Sequence, residues 1–183
     1  MKYYLLATIA ILSIKSIAQE TFSKYSDIKK DSLGISQEAP KGVYQYAFRI
    51  GEWGGVSKDL LALNQWKNNT AHSRFYIAKN GTTFIEEGLD GDGNITHTVT
   101  YDYIEKTDSW NNLYKEVETG VEVKYTSKVE EGKMVETIIR SESTNKNTYT
   151  IIDNNIITYI ARRTYKSGFK IVTHAGIYTK IID

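Results

Sequence analysis

The sequence predicts an all-β protein, an antiparallel up-and-down meander β-barrel of about 8–10 strands. The 183-residue chain has fourteen tyrosines but only one proline, and tyrosine with threonine, isoleucine and valine favours half-buried strands. Turn residues recur at short intervals, and no segment between them is long enough for the crossover helix of a parallel sheet. An open sheet of so many strands would expose two long edges, so we expect it to close.

The first 18 residues are typical of a cleavable export signal. Lys2 gives the positive start, an apolar run over residues 3–14 follows, and Ser16 and Ala18 place small residues at the cleavage site. The run is shorter than the ~20 residues of a membrane span. The chain has no cysteine, which excludes a lipid anchor on that residue. We therefore expect an exported protein, periplasmic or extracellular, with no transmembrane span after cleavage and not lipid-anchored.

The charge of the remaining chain is close to neutral. Removing Lys2 and Lys15 leaves 21 basic against 22 acidic residues, a formal charge of −1. This balance gives no electrostatic reason to expect nucleic acid or an anionic membrane as partner.

The predicted organisation is a short extension over residues 19–42 and one barrel domain over residues 43–183. A helix over residues 20–33 is indicated by the spacing of Phe22, Tyr25 and Ile28, and Pro40 and Gly42 mark a linker. Turns are expected at residues 79–82, 90–94, 130–133, 145–147, 153–155 and 166–168. Strands are expected at about 51–59, 72–79, 82–88, 95–105, 111–119, 121–129, 133–143, 147–152, 155–165 and 169–181.

Alternation along two strands assigns side chains to the inside or the outside of the barrel. Ile95, His97, Val99, Tyr101 and Tyr103 alternate with polar residues, so this set should face inward. In the last strand, the apolar set runs from Phe169 to Ile181 at odd positions. His174 lies on the opposite set and should face outward, unless a bulge near Gly176 changes the register.

The stretch "YAFRIGEW" carries a resemblance to a known group. Gly51-Glu52-Trp53 resembles the G-x-W signature of the calycins, which include lipocalins, fatty-acid-binding proteins and small secreted bacterial barrels. The resemblance implies that Gly51 permits a tight turn into the first strand and that Trp53 closes one barrel end. In lipocalins an arginine from a late strand lies over this tryptophan, and Arg162 or Arg163 is the matching candidate, with Arg162 taken for closure.

The segment "RRTY" offers a second reading for one of these arginines. Arg163 shares a strand face with Tyr159 and Tyr165, so the three point the same way. An Arg-x-Tyr pair inside a barrel resembles the carboxylate clamp of fatty-acid-binding proteins. The alternative is that one arginine stacks on Trp53 and the other lies in solvent.

The histidines are the remaining candidates for chemistry. His97, with Tyr101 and Tyr103, has the residue types of a haem or metal ligand or a general base. The chain also resembles haem-binding nitrobindin-like barrels, in which a late histidine binds the haem, and His174 is the positional match. A hydrogen-bonded or exposed histidine explains the same residues. Three isolated histidines lack the spacing of a zinc site, and "DGDGN" lacks the later glycine and glutamate of a calcium loop.

The sequence therefore predicts an exported, non-catalytic barrel that binds a small, largely apolar or amphipathic molecule, entering opposite Trp53. No catalytic motif, metal site or cofactor is predicted, although enzymatic activity and a protein partner stay open. The alternatives are a filled barrel acting as an interaction module of the cell envelope and a haem-binding barrel. The predicted ligand-binding residues are His97, Tyr101, Tyr103, Tyr159, Arg163 and Tyr165, with Gly51, Trp53 and Arg162 at the closed end.

Overall fold

The computed structural model describes residues 29–181 and shows a closed barrel of ten antiparallel strands. Each strand pairs with the next along the chain, and the first strand pairs with the last. The predicted fold class is confirmed. The export signal over residues 1–18 and most of the candidate helix over 20–33 lie outside the described residues, while residues 29–33 form a bridge and a turn.

The ten strands correspond one to one to the ten predicted segments. Two 3₁₀ helices, η1 Lys41–Arg49 and η2 Glu105–Thr107, accompany them. The strands are β1 Gly51–Ala62, β2 Gln65–Ile77, β3 Thr83–Leu89, β4 Ile95–Ile104, β5 Ser109–Glu116, β6 Glu122–Glu130, β7 Lys133–Ile139, β8 Ser143–Asp153, β9 Ile156–Tyr165 and β10 Lys170–Ile181.

Two turns differ from the prediction for physical reasons. β2 begins at residue 65, well before the expected 72, because Asn64 adopts a φ of 62° and makes a tight turn directly after β1. The expected turn at residues 145–147 is instead part of β8. The side-chain amides of Asn145 and Asn147 point into the barrel, where Asn147 donates to Glu136 and Asn145 accepts from Arg163. A polar cluster that looked like a surface turn is an inward-facing strand.

The other predicted turns are present, and their side chains explain them. In "DGDGN" the backbone amides of Asp92 and Asn94 donate to Asp90 Oδ1, at 2.9 and 2.8 Å. The turn between β6 and β7 places Glu131 and Gly132 at φ values of 50° and 73°. A two-residue hairpin turn with both central residues in the left-handed region is a type I′ turn, whose backbone twist matches that of the flanking strands.

Helix η1, which the sequence did not predict, packs across one end of the barrel. Tyr46 is fully buried there, 4.8 Å from the ring of Tyr101 and 5.0 Å from that of Trp110, measured between ring centroids. Its hydroxyl donates to Ser127 Oγ at 2.9 Å. The segment before η1 also packs closely, since Ile35 is fully buried. Ile35 and Ser36 therefore pack against the barrel, and the backbone amide of Ser36 donates to the carbonyl oxygen of Gly81 at 2.8 Å.

The G-x-W motif lies at this closed end. Gly51 has a φ of 129°, and a Cβ there would lie 2.5 Å from Lys180 Cε, so a larger residue would be strained. Trp53 is buried, and its Nε1 donates to the carbonyl oxygen of Arg49 at 2.6 Å. The indole thus holds the end of η1 in place.

Arg162 does not take part in this closure, which corrects the prediction. Along β10 its partner is Val172, eight residues before Lys180, the partner of Trp53. Eight strand residues span about 26 Å, so Arg162 is far from the indole, and its side chain is exposed. Lys180 supplies the nearby cation instead, with Nζ 5.9 Å from the ring centroid of Trp53.

No helix within residues 29–181 is both long and apolar enough to cross a membrane.

Replacing Trp53 by alanine should lower the free energy of unfolding by about 3–5 kcal/mol, because it leaves a cavity and removes the bond to Arg49. Trp66 is 43% exposed, so Trp66→Ala is the matched control and should change stability by no more than about 0.5 kcal/mol. Urea unfolding followed by far-ultraviolet circular dichroism measures both. Equal losses in the two variants would contradict the closing role of Trp53.

Candidate functional site

The barrel encloses a cavity of about 530 Å³, which we call the inner cavity. Its floor lies on the side of η1, and includes Arg49 and Glu86. Its walls combine aromatic and aliphatic side chains with three histidines and a second arginine. They include His72, His97, Val99, Tyr101, Tyr114, Val123, Tyr125, Ile138, Arg140, Tyr149, Ile157, Tyr159, His174 and Tyr178.

A second cavity of about 640 Å³, the outer cavity, lies at the end opposite Trp53. Tyr159 and His174 line both cavities, so the two are adjacent. The outer cavity includes Leu60, Leu61 and Phe169, which belong to β1 and to the turn between β9 and β10. Together the cavities extend from the end of the barrel opposite Trp53 to the polar floor beside η1.

The structure divides the predicted ligand-binding residues between these cavities. His97, Tyr101 and Tyr159 line the inner cavity, and inward alternation along β4 is confirmed for His97 and Tyr101. Arg163 and Tyr165 line the outer cavity. Arg163 faces inward, and its Nε donates to Asn145 Oδ1 at 3.0 Å. Their ligand-binding role itself stays a prediction.

Tyr103 lines neither cavity, which corrects its predicted placement. Its hydroxyl donates to Asp108 Oδ1 at 2.6 Å, and its ring lies 5.1 Å from that of Trp110. Alternation along β4 predicted the inward face of Tyr103 correctly. It could not show that η1 packs across the barrel at the height of Tyr103 and separates this residue from the cavities. Gly42, just inside η1, lies directly against the Tyr103 ring.

A buried ion pair between Arg49 and Glu86, which the sequence did not disclose, forms the floor of the inner cavity. Arg49 Nη2 lies 2.5 Å from Glu86 Oε1. Arg49 Nη1 donates to the Tyr101 hydroxyl at 3.2 Å, and that hydroxyl donates to Glu86 Oε2 at 2.6 Å. The guanidinium also lies 4.6 Å from the ring centroid of Phe75 and 4.8 Å from that of Tyr149, distances typical of cation–π contacts.

The pair keeps both groups charged in spite of their burial. Burial opposes ionisation of Glu86, but the charge of Arg49 and the hydrogen bonds from Tyr101 and Arg49 outweigh it. The pKa of Glu86 is therefore below its ordinary value. Burial alone would lower the pKa of Arg49, and the negative charge of Glu86 raises it instead.

Glu136 on β7 is a second buried carboxyl group in the cavity wall, and within the described part of the chain it forms no ion pair with a cationic side chain. Its exposed fraction is 2%, and Asn147 Nδ2 donates to Oε2 at 3.1 Å. Among the described residues, none donates a hydrogen bond to Oε1. Burial raises the pKa of Glu136 to about 7, against the opposing effects of Arg49 and Asn147.

The sequence contained a signal for Glu136 but none for Arg49. In "KMVETII", Glu136 shares the alternation of Met134 and Ile138, which placed a carboxyl group on an apolar strand face. Arg49 lies in η1, whose helical form and position across the barrel end leave no trace in the strand pattern.

His174 faces the inner cavity, so the prediction that it faces outward is wrong. The register of β10 shifts between Val172 and His174, three residues before the position considered, and the extra residue moves His174 to the inner face. Its Nδ1 is hydrogen-bonded to Asp59 Oδ1, and its Nε2 lies 3.2 Å from the Tyr178 hydroxyl. Pairing with the carboxylate favours the proton on Nδ1 and leaves the Nε2 lone pair towards Tyr178, inside the cavity.

Within residues 29–181, no group of three or more histidines or carboxylates could hold a metal ion.

Comparisons with known proteins show similarity of fold. No family model matches the chain, and no curated protein matches it. The crystal structure of Rv2717c from M. tuberculosis is similar over 79% of this chain and 100% of that chain, with a TM-score of 0.53 and 11% sequence identity. The S-type phycobiliprotein lyase CPES from Guillardia theta is similar over 75% of this chain and 90% of that chain, with a TM-score of 0.48 and 12% identity. The similarity to Rv2717c is one of fold: both chains form a barrel of the same general architecture.

The pKa of Glu136 leads to a test of stability against pH. The group binds a proton more tightly in the folded chain, at about 7, than at its ordinary 4.5. The stabilisation that this tighter proton binding gives the folded state is fully present below pH 4.5 and is lost as the pH rises through 7. At pH 8 the free energy of unfolding is therefore lower by roughly 3 kcal/mol. Glu136→Gln removes this penalty and should be more stable than wild type at pH 8 by that order, with little difference at pH 4.

Urea unfolding at both pH values measures this effect. Glu142→Gln is the matched control, because the Glu142 side chain is 75% exposed. A stability gain for Glu136→Gln that is the same at pH 4 and pH 8 would contradict a buried, titrating carboxyl group.

Proposed function

We propose that the protein binds a small amphipathic molecule in the inner cavity, which the molecule enters from the end opposite Trp53. The observation that carries the proposal is the inner cavity itself. Its volume of about 530 Å³ falls in the range of sites for small molecules. Mostly apolar walls with a few converging polar groups are also typical of such sites.

The distribution of side chains supports an amphipathic ligand more than a purely apolar one. Val99 and Ile157 and the tyrosine rings offer apolar contact to the body of a ligand. Arg49 at the floor and Glu136 in the wall offer charged and hydrogen-bonding groups. A ligand with a polar end towards the floor and an apolar body towards the outer cavity would match both.

The same cavity weighs against the filled-barrel alternative. That alternative requires the inward tyrosines and phenylalanines to fill the interior. Tyr46, Phe75, Phe84 and Trp110 do pack together at the closed end, but the tyrosines beyond them line the walls of a cavity of about 530 Å³ and leave it open. We further propose that the protein acts outside the cytoplasm, on the strength of the N-terminal residues alone, and that its role is binding without catalysis.

Filling the inner cavity should abolish binding. Val123 lines it from β6, and the neighbouring Lys124 is exposed on the outer face of the same strand. Native mass spectrometry of protein purified from its own source should show a bound mass that denaturation releases, in wild type and in Lys124→Trp. Val123→Trp should lack it while keeping its far-ultraviolet spectrum. Bare protein in all three samples, or a bound mass retained in Val123→Trp, would overturn the proposal.

Haem is a second candidate ligand, and the position of His174 favours it. The resemblance to nitrobindin-like barrels implied a late histidine, and His174 lies in the cavity with Nδ1 fixed by Asp59. Iron-binding histidines commonly have their second nitrogen held by a carboxylate in this way. The residues fit: His174 would hold the group through Nε2, with Tyr159 and Tyr178 beside it. Bound haem would supply an iron centre for a gaseous ligand or for electron transfer.

Titration of the apoprotein with haemin tests this candidate. We expect a saturable shift of the Soret band in wild type that is lost in His174→Ala, because that variant lacks the iron ligand. His97→Ala and His72→Ala are the matched controls and should keep the band position. No Soret shift in wild type, or an unchanged shift in His174→Ala, would rule the assignment out.

A further inference from the structure

We propose that the inner cavity selects a ligand carrying a positively charged nitrogen with N–H groups, and that Glu136 is its countercharge. This inference rests on the proposed binding function and names the class of ligand. It follows from the buried charges around the inner cavity, from the unpartnered oxygen of Glu136 and from the aromatic walls.

The buried charges around the inner cavity are unbalanced. Arg49 is the one cationic side chain among the buried residues described, and Glu86 already engages it at 2.5 Å. Glu136 therefore adds a negative charge that no further buried side chain compensates. A buried charge without a partner is costly, and an opposite charge brought in by a ligand would remove that cost.

One carboxylate oxygen of Glu136 is free to accept a hydrogen bond from a ligand. Asn147 satisfies Oε2, and Oε1 has no donor among residues 29–181. A protonated amine supplies N–H donors and positive charge together, and hydrogen bonds between ions of opposite charge are about twice as strong as neutral ones. A carboxylate ligand would instead meet two carboxyl groups. Among residues 29–181 the one buried side-chain nitrogen without a partner is the Nε of Arg49, and Arg140, the other arginine that lines the cavity, is exposed.

The walls are suited to a cation as well. Arg49 already lies over the rings of Phe75 and Tyr149, which shows that this interior surrounds positive charge with aromatic faces. Tyrosine rings attract cations through their negative faces. Burial raises the pKa of each cavity tyrosine, so they stay neutral and add no anionic charge. The titratable groups that act on Glu136 or are acted on by it are Tyr46, Arg49, Glu86, Tyr101, Tyr125, Tyr149 and Tyr159.

Three probes with the same six-carbon chain test the proposal on the full mature chain: hexylammonium, hexanol and hexanoate, by isothermal titration calorimetry at pH 8. We expect hexylammonium to bind at least about tenfold more tightly than the other two. Glu136→Gln should weaken hexylammonium about tenfold or more and leave hexanol unchanged. Glu142→Gln, at an exposed position, should behave as wild type.

The pH dependence of binding provides a second readout. A proton on Glu136 competes with the cation, so hexylammonium should bind up to about tenfold more weakly at pH 6 than at pH 8 in wild type. Glu136→Gln should show no such dependence, and neither should hexanol with either protein.

The outcomes separate this inference from the proposed function. Hexanol or hexanoate binding as tightly as hexylammonium, or an affinity for hexylammonium that Glu136→Gln and pH leave unchanged, overturns the selection for a cation and keeps the binding function. Failure of all three probes to bind overturns both.

Discussion

The buried ion pair between Arg49 and Glu86 is the interaction on which the rest of the interior depends. It joins the last residue of η1 to β3, so it fastens the closed end of the barrel to its wall. Removing two charges from water costs several kcal/mol for each ion, and only good geometry with further hydrogen bonds offsets that cost. Tyr101 and the rings of Phe75 and Tyr149 supply these contacts. The position of Trp53 follows from the same constraint, because its indole holds the carbonyl group of Arg49.

One buried side chain, Glu136, lowers the stability of the folded barrel above neutral pH. Asn147 donates to Oε2 of Glu136, Oε1 has no donor among the described residues, and burial keeps the pKa of this carboxyl group near neutrality. An apolar residue would fill the same place on β7 without that penalty. Unsatisfied buried polar groups are rare in folded proteins, and their presence in a cavity wall is typical of a site with a function. Glu136 and Arg49 are therefore more informative about the role of the protein than the cavity tyrosines.

Sequence patterns predicted the fold much better than the site. Strand chemistry and turn residues have local signals, so all ten strands were found, and the G-x-W motif located the closed end. The ligand-facing residues depend on features with weak local signals. A one-residue bulge in β10 turns the side chain of His174 from the outer to the inner face of the barrel. The packing of η1 separates Tyr103 from the cavities. The asparagines at 145 and 147 have the composition of a surface turn but face inward from β8. Arg162 was assigned by resemblance alone, and strand register placed it at the other end of the barrel.

The pairing of β1 with β10 has a consequence for how the chain reaches this structure. The strand that begins at Gly51 has one of its two partners in the segment that ends at Ile181, so the barrel cannot close before nearly the whole chain is available. Contacts between such distant segments make folding slow. Until they form, β1 and β9 each present an unpaired edge, and unpaired edges promote association between chains. Shortening the chain within β10 would make that transient state permanent.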